Sequence, residues 1–300
     1  MKLKTEIKKL IAQLPYFGKI YKQSLNSLYP NGHYHSPVFS IDDIKKRQTQ
    51  IWKNVIKEGV DGIELKTEEQ INLLKKFAEY YTEIPFKSER QSHLRYNFEN
   101  GYYSYTDAII LYSFIRHFKP KNIIEIGSGF TSALMLDTNE LFLNNGINLT
   151  FIDPDVTRLY SLIRETDKKS TTIIEKDVQQ IPLDIFKKLE PGDILFIDST
   201  HVTKTGSDVN YILFEILPLL KNGVLIHFHD IFYPFEYPKD WIFGGVNWNE
   251  DYILRAFLMY NNKFEIKLFA HYLHIHHKNL FKEMPLCYKN TGGNLWIEKK

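Results

Sequence analysis

From residue 122 onward, short apolar runs alternate with longer segments whose apolar residues recur at helical spacing. NIIEI (122–126), NLTFI (148–152), TTIIE (171–175), DILFI (193–197) and GVLIHF (223–228) read as buried strands. Strands and helices in this rhythm predict right-handed βαβ units and a parallel sheet. FEIKLF (264–269) and NLWIE (294–298) add two later strands, separated by a polar and aromatic stretch. Residues 104–118 read as a helix that stops before Pro120. The pattern predicts a doubly wound, Rossmann-like α/β domain over residues 101–300.

Residues 1–100 lack that rhythm and read as a helical and irregular extension or cap. Pro30-Asn31-Gly32 marks a turn, and Ser40 ahead of Asp42 and Asp43 opens a helix. Thr67 and Gln70 have capping-box spacing before an apolar run. At the start, Leu3, Ile7, Leu10, Ile11 and Leu14 share one helical face, with Lys2, Lys4, Lys8 and Lys9 elsewhere. Such a basic amphipathic helix either lies on an anionic membrane as a peripheral contact or packs on its own domain or a partner subunit. An oligomer is compatible with the second reading.

Composition narrows the function classes. The chain has 38 basic and 36 acidic residues, a net charge of +2, so a broad footprint for nucleic acid is not expected. One cysteine, Cys287, permits no intrachain disulfide. No run reaches the roughly 18 apolar residues of a spanning helix, and the N-terminus has no continuous apolar region of the secretory kind. A reducing, cytoplasmic setting is expected.

Ligands of open parallel sheets bind beyond the carboxyl ends of the strands. Glu125-Ile-Gly127-Ser128-Gly129 follows the first strand and opens a helix, an arrangement that lets a backbone approach a ligand and suits an anion. Asp153 ends the second strand, 24 residues past Gly129, near the spacing at which an acid meets ribose hydroxyls. Asp177 and Val178 follow the third, Asp198 and His201 the fourth, His229 and Asp230 the fifth. So much polarity on one edge predicts a ligand site there.

These segments resemble class I S-adenosylmethionine-dependent methyltransferases. Glu125-Ile-Gly-Ser-Gly is similar to their acid-x-Gly-x-Gly loop, Phe151-Ile-Asp153 to the motif whose acid holds the ribose, and Lys176-Asp177-Val178 to the segment that contacts adenine. DILFIDSTH and LLKNGVLIHFHD resemble the fourth and fifth strands of the subgroup related to catechol-type O-methyltransferases. More loosely, the GHYHSP stretch and the DILFIDSTH block resemble bacterial methyltransferases associated with surface-polysaccharide synthesis. The resemblance implies a seven-stranded sheet with an antiparallel ending, bound S-adenosylmethionine at Glu125, Gly127, Ser128, Gly129, Asp153, Asp177, Val178 and Asp198, and in-line methyl transfer to a small-molecule or glycan acceptor.

For a hydroxyl acceptor, His201 and His229 are candidate bases, with Asp230 beside them at the strand end. On a regular strand His227 shares the face of His229, and deeper in the strand it reads as a hydrogen-bonded core histidine. The catechol-type resemblance also implies a divalent ion, magnesium or manganese, held by carboxylates after strands four and five. Asp198 and Asp230 match two ligand positions; the third is Ile231, which cannot ligate. His201, His229 or waters would have to complete the shell. His271, His274, His276 and His277 read as a solvated or substrate-facing group. Phe232, Tyr233, Phe235, Tyr237, Trp241 and Trp248 either line the acceptor site or fill space over the sheet. Asn97, Tyr103 and Tyr105 are further pocket candidates.

Other readings compete. A nicotinamide-dependent enzyme would prefer glycine where Ser132 stands, and a methyltransferase-like scaffold would need none of the acids. The asparagine/aspartate-proline-proline-tyrosine motif that the resembling family uses for amino-group methylation is absent after strand four, which favours oxygen as the acceptor atom.

Overall fold

The computed structural model describes residues 7, 10, 13, 14, 17–19, 21 and 26–300. Leu3, Ile11, Lys2, Lys4, Lys8 and Lys9 of the N-terminal amphipathic segment lie outside them. The chain divides into two compact units, Met1–Lys53 with Pro238–Asn247, and Asn54–Tyr237 with Trp248–Lys300.

In the first unit, helix α1 (Ile41–Ile51) starts where the sequence predicts: the Ser40 side chain accepts from the Asp43 N–H. Lys239 reaches Gln48 at 3.1 Å, and Trp52 packs edge-on against Phe243.

The second unit holds α2 (Thr67–Tyr81), α3 (Tyr105–Phe118), α4 (Phe130–Phe142) and α5 (Glu250–Leu258) around one seven-stranded sheet. Its strands are β1 (Asn122–Ile126), β2 (Asn148–Ile152), β3 (Thr172–Ile174), β4 (Ile194–Ile197), β5 (Leu225–His229), β6 (Phe264–Phe269) and β7 (Asn294–Lys299). They lie in the order β3-β2-β1-β4-β5-β7-β6. The first five are parallel, and β7 runs antiparallel between β5 and β6. β1 and β4 are buried along nearly their whole length, as expected of strands covered on both faces. The apolar runs therefore sit where the sequence puts them, and the antiparallel ending agrees with the expectation.

The expected capping box before α2 is absent. Lys66, not Thr67, caps that helix, in a left-handed conformation. Thr67 Oγ1 instead meets Tyr272 Oη at 2.8 Å, and Gln70 accepts from the Phe269 N–H at 2.7 Å. Both side chains are drawn into tertiary bonds, which outcompete a local cap.

Among the described residues no helix is long and apolar enough to cross a membrane. Cys287 is free and fully buried, and burial pushes its thiol up to about 12, which leaves it protonated and inert.

Candidate active site

Strand order reverses between β1 and β4, and the two strand ends meet at Gly127. Gly127 has φ +86°, and a Cβ placed there would lie 1.7 Å from the Asp198 carbonyl oxygen. The Gly127 N–H donates to Ile152 O and the Asp198 N–H to Ile126 O, so the turns after β1 and β4 are joined through backbone alone. Only glycine satisfies both the left-handed angle and this approach. The Asp153 carboxylate holds the turn from the other side, accepting from the N–H groups of Ser128 and Asp155, both at 2.7 Å.

A cleft of about 330 Å³ opens over these ends. Gly127, Asp153, Asp177, Val178 and Asp198 line it, so four strand ends contribute to one space. Lys204 and Asp208 stand at its edge, where Asp208 accepts from both the N–H and the hydroxyl of Thr200. Glu125, Ser128 and Gly129 do not line the cleft. Glu125 lies fully buried beneath the turn, accepting from the Ser132 hydroxyl, which in turn accepts from the Gly129 N–H at 3.0 Å. Burial raises its carboxyl to about 8, and the hydroxyls of Ser132 and Thr131 offset only part of that rise.

Beyond Asp198 the predicted catalytic residues come together. His201 Nε2 is 3.5 Å from Asp198 Oδ1 and 3.7 Å from Asp230 Oδ2, and His229 Nε2 is 3.4 Å from Asp230 Oδ1. Asp198 lines the cleft; Asp230 is a second carboxylate on the same His201 Nε2. Both His201 and Asp230 have left-handed backbone angles, φ +59° and +55°, which turn the chain sharply after β4 and β5. Tyr103 packs against His229 with ring centroids 4.9 Å apart. The Tyr103 hydroxyl and His229 Nδ1 are buried with no hydrogen-bond partner among the described residues.

The electrostatics follow from this crowding. Burial alone would raise Asp198, but His229 and His201 outweigh it and hold its carboxyl below the ordinary value. For Asp230 burial prevails over the same histidines, and its pKa rises. Burial disfavours the charged His201 ring, yet Asp198 and Glu250 carry its pKa well above 6.5. His229 also rises, through Asp230 and Asp198, against its burial.

Glu250 is the functional side chain that sequence reading missed. Its Oε2 lies 2.8 Å from His201 Nδ1, and the residue is 1% exposed. The carbonyl of His201 accepts from the N–H groups of Asn249 and Glu250, and Thr203 donates to the Asn249 side chain at 2.6 Å. Trp248 packs on the imidazole at 4.3 Å. In the sequence, Glu250 and Asp251 look like ordinary acids at a helix start; only their complete burial distinguishes them.

Several expectations are corrected. His227 is in the core, but neither ring nitrogen makes a hydrogen bond of normal geometry among the described residues; the ring stacks on Phe196 at 3.8 Å instead. His271 and His274 are not a solvated group. His271 accepts from the Tyr233 N–H, His274 stacks on Phe281 and meets Thr106 Oγ1, and burial lowers them to about 4 and about 3. Phe232, Tyr233, Phe235 and Tyr237 are buried, so these four fill space over the sheet.

The implied divalent ion meets a donor set that does not fit it. Among the described residues no three His, Cys, Asp or Glu side chains converge on one ion position. Ile231 is fully buried in the hydrophobic core, and one ring nitrogen of His201 faces both aspartates.

Known proteins bear on the same segment. The family described as a methyltransferase domain matches residues 124–231, which run from β1 through the turn after β5. An uncharacterized protein of Archaeoglobus fulgidus is 29% identical over 195 residues, spanning 63% of this chain and 86% of its own. The chain is also similar in structure to TomG, an O-methyltransferase of Streptomyces achromogenes, at 12% identity and a TM-score of 0.43 over 84% of this chain and 96% of that one. The Podospora anserina methyltransferase PaMTH1 gives 16% identity and a TM-score of 0.40 over 91% and 99%. Likenesses this remote add no weight to the assignment. The domain match spans β1 to the turn after β5.

Proposed function

We propose that the protein is an S-adenosylmethionine-dependent methyltransferase that methylates a hydroxyl of a small molecule or glycan. The observation that carries this reading is the cleft over β1–β4. It presents the Gly127 turn, Asp153 and Asp177 for ribose and base, and Asp198 at the end nearest the histidines. S-adenosylmethionine supplies an electrophilic methyl on sulfur when bound. The chain's own part is to hold the cofactor along the cleft, align an acceptor oxygen beyond Asp198, and take up its proton. Alignment of this kind is worth about 7–11 kcal/mol of barrier.

Asp230 is the proton acceptor in this reading. Its raised pKa makes it a stronger base than an ordinary carboxylate, and the ring nitrogens of His201 and His229 flank its two oxygens to steady the shared proton. Proton transfer by a positioned base contributes about 10²–10⁴-fold.

Calorimetric titration with S-adenosylhomocysteine, with NADH as control, tests the cofactor. Micromolar binding of the nucleoside alone is expected. Heat with NADH instead would transfer the glycine turn to a nicotinamide enzyme, and no heat with either would leave a scaffold.

A further inference from the structure

We propose that His201 takes the place of a divalent cation between Asp198 and Asp230, so that the site organises cofactor and acceptor without a metal. The inference rests on the methyltransferase reading above and deepens it.

Ligand chemistry is the first argument. Magnesium requires near-octahedral oxygen ligands at about 2.0–2.1 Å, and the position that would complete an oxygen triad is the buried Ile231. No other set of three ionisable donors converges among the described residues. What lies between the two carboxylates is an imidazole nitrogen, 3.5 Å from one and 3.7 Å from the other.

The second argument is that the imidazole cannot step aside. Glu250 fixes Nδ1 at 2.8 Å, Trp248 covers the ring, and two backbone N–H groups at the head of α5 bind the His201 carbonyl. An ion placed at the aspartates would have to evict a ring held by Glu250 and Trp248 on a backbone that is itself pinned.

Charge balance is the third. Three carboxylates, Asp198, Asp230 and Glu250, surround this one imidazole. Of the three, Asp198 lines the cleft, and a carboxylate there suits a cationic sulfonium without help from a metal. His201 thus ties the ends of β4 and β5 together as an ion would, but from within the chain.

The protein is titrated with S-adenosylhomocysteine in millimolar Mg²⁺ and again in chelator. Uptake of Mn²⁺ is followed by its electron paramagnetic resonance signal, and the ring nitrogens of ¹⁵N-histidine-labelled protein are observed with and without Mg²⁺. The same dissociation constant in both buffers, an undiminished Mn²⁺ signal and an unmoved His201 ring are expected. Stoichiometric Mn²⁺ uptake that Asp198→Asn abolishes, or a His201 ring shift on adding Mg²⁺, would overturn the proposal. Uptake that survives Asp198→Asn with the ring unmoved places the ion elsewhere and sustains it. Failure of the methyltransferase reading looks different: no S-adenosylhomocysteine binding in either buffer.

Discussion

His201 Nδ1 and Glu250 Oε2 meet at 2.8 Å across 49 residues of chain. The contact joins the turn after β4 to the first turn of α5, and it is sealed at both ends: His201 is 4% exposed and Glu250 1%. A buried carboxylate on one imidazole nitrogen fixes the ring plane and aims the other nitrogen, here at Asp198 and Asp230. Position and charge in the site are therefore set by a residue that lines neither the cleft nor the strand ends.

Glu250→Gln should lower the His201 pKa toward the ordinary 6.5 while keeping the fold. The sign for stability follows. A histidine whose folded pKa is raised stabilises the fold fully below its unfolded value and loses that contribution as pH rises through the folded value. The folded value is well above 6.5 in the native protein, so in the variant the contribution is smaller and its loss is complete at lower pH. Melting temperature against pH, together with the NMR titration of His201, checks this. An unchanged His201 titration would mean the two aspartates suffice.

Gly127→Ala tests the cleft. Its Cβ would overlap the Asp198 carbonyl, 1.7 Å away, at a left-handed angle that alanine resists. The ends of β1 and β4 must move apart, at about 1–3 kcal/mol of stability, and the cleft opens with them. S-adenosylhomocysteine affinity should fall by more than about tenfold, or about 1.4 kcal/mol. Circular dichroism distinguishes this from unfolding. Unchanged affinity in a folded variant would move the cofactor elsewhere.

Glu125→Gln probes a different cost. Burial raises the Glu125 carboxyl from 4.5 to about 8, so the folded state holds a proton that the unfolded chain releases. That contribution is fully present below about pH 4.5 and is lost as pH rises through about 8. Glutamine abolishes the loss. The variant should melt with the native protein near pH 5 and above it near pH 9; equal melting at both would mean Glu125 ionises without penalty.

The sheet was legible in the sequence because each of its first five strands is an apolar run and each run ends in a turn. β1, β2 and β6 agree with the reading at both ends, and the others differ by one or two residues where strands fray. The gathering of Gly127, Asp153, Asp177 and Asp198 was legible for the same reason: strand ends of a parallel sheet face one edge. Glu250 was not, since nothing local reports a contact 49 residues away. Nor was Arg95, whose guanidinium is 4% exposed and pairs with Asp137 at 2.7 Å, Glu140 at 2.7 Å and Asp167 at 2.6 Å. A lone arginine in an irregular segment carries no periodic signal. Its acids lie in α4 and at the start of a four-residue helix, Asp167–Ser170, where they look like surface charges.

His227 shows how a residue can resemble its neighbours in sequence and differ in role. It lies one strand period before His229, and its ring is 6.0 Å from that residue's. Yet it is enclosed by Phe196 and Trp296, fully buried and without a ring hydrogen bond of normal geometry among the described residues. Burial pushes its pKa well below 6.5. The unfolded chain therefore takes up a proton near pH 6.5 that the folded protein refuses, and stability falls as pH drops below that point. Leaving buried polar atoms unpaired costs about 1–3 kcal/mol. Phenylalanine removes that cost but adds ring volume, and overpacking can offset about as much. At neutral pH His227→Phe should accordingly melt close to the native protein. The acid side decides the matter: His271 and His274 still drive a loss of stability there, but with His227 gone the decline from pH 7 to pH 5 should be shallower. An identical decline in both proteins would show that His227 titrates normally, and a ring that accepts a proton so freely would belong with His201 and His229 in the site rather than with Phe196 in the core.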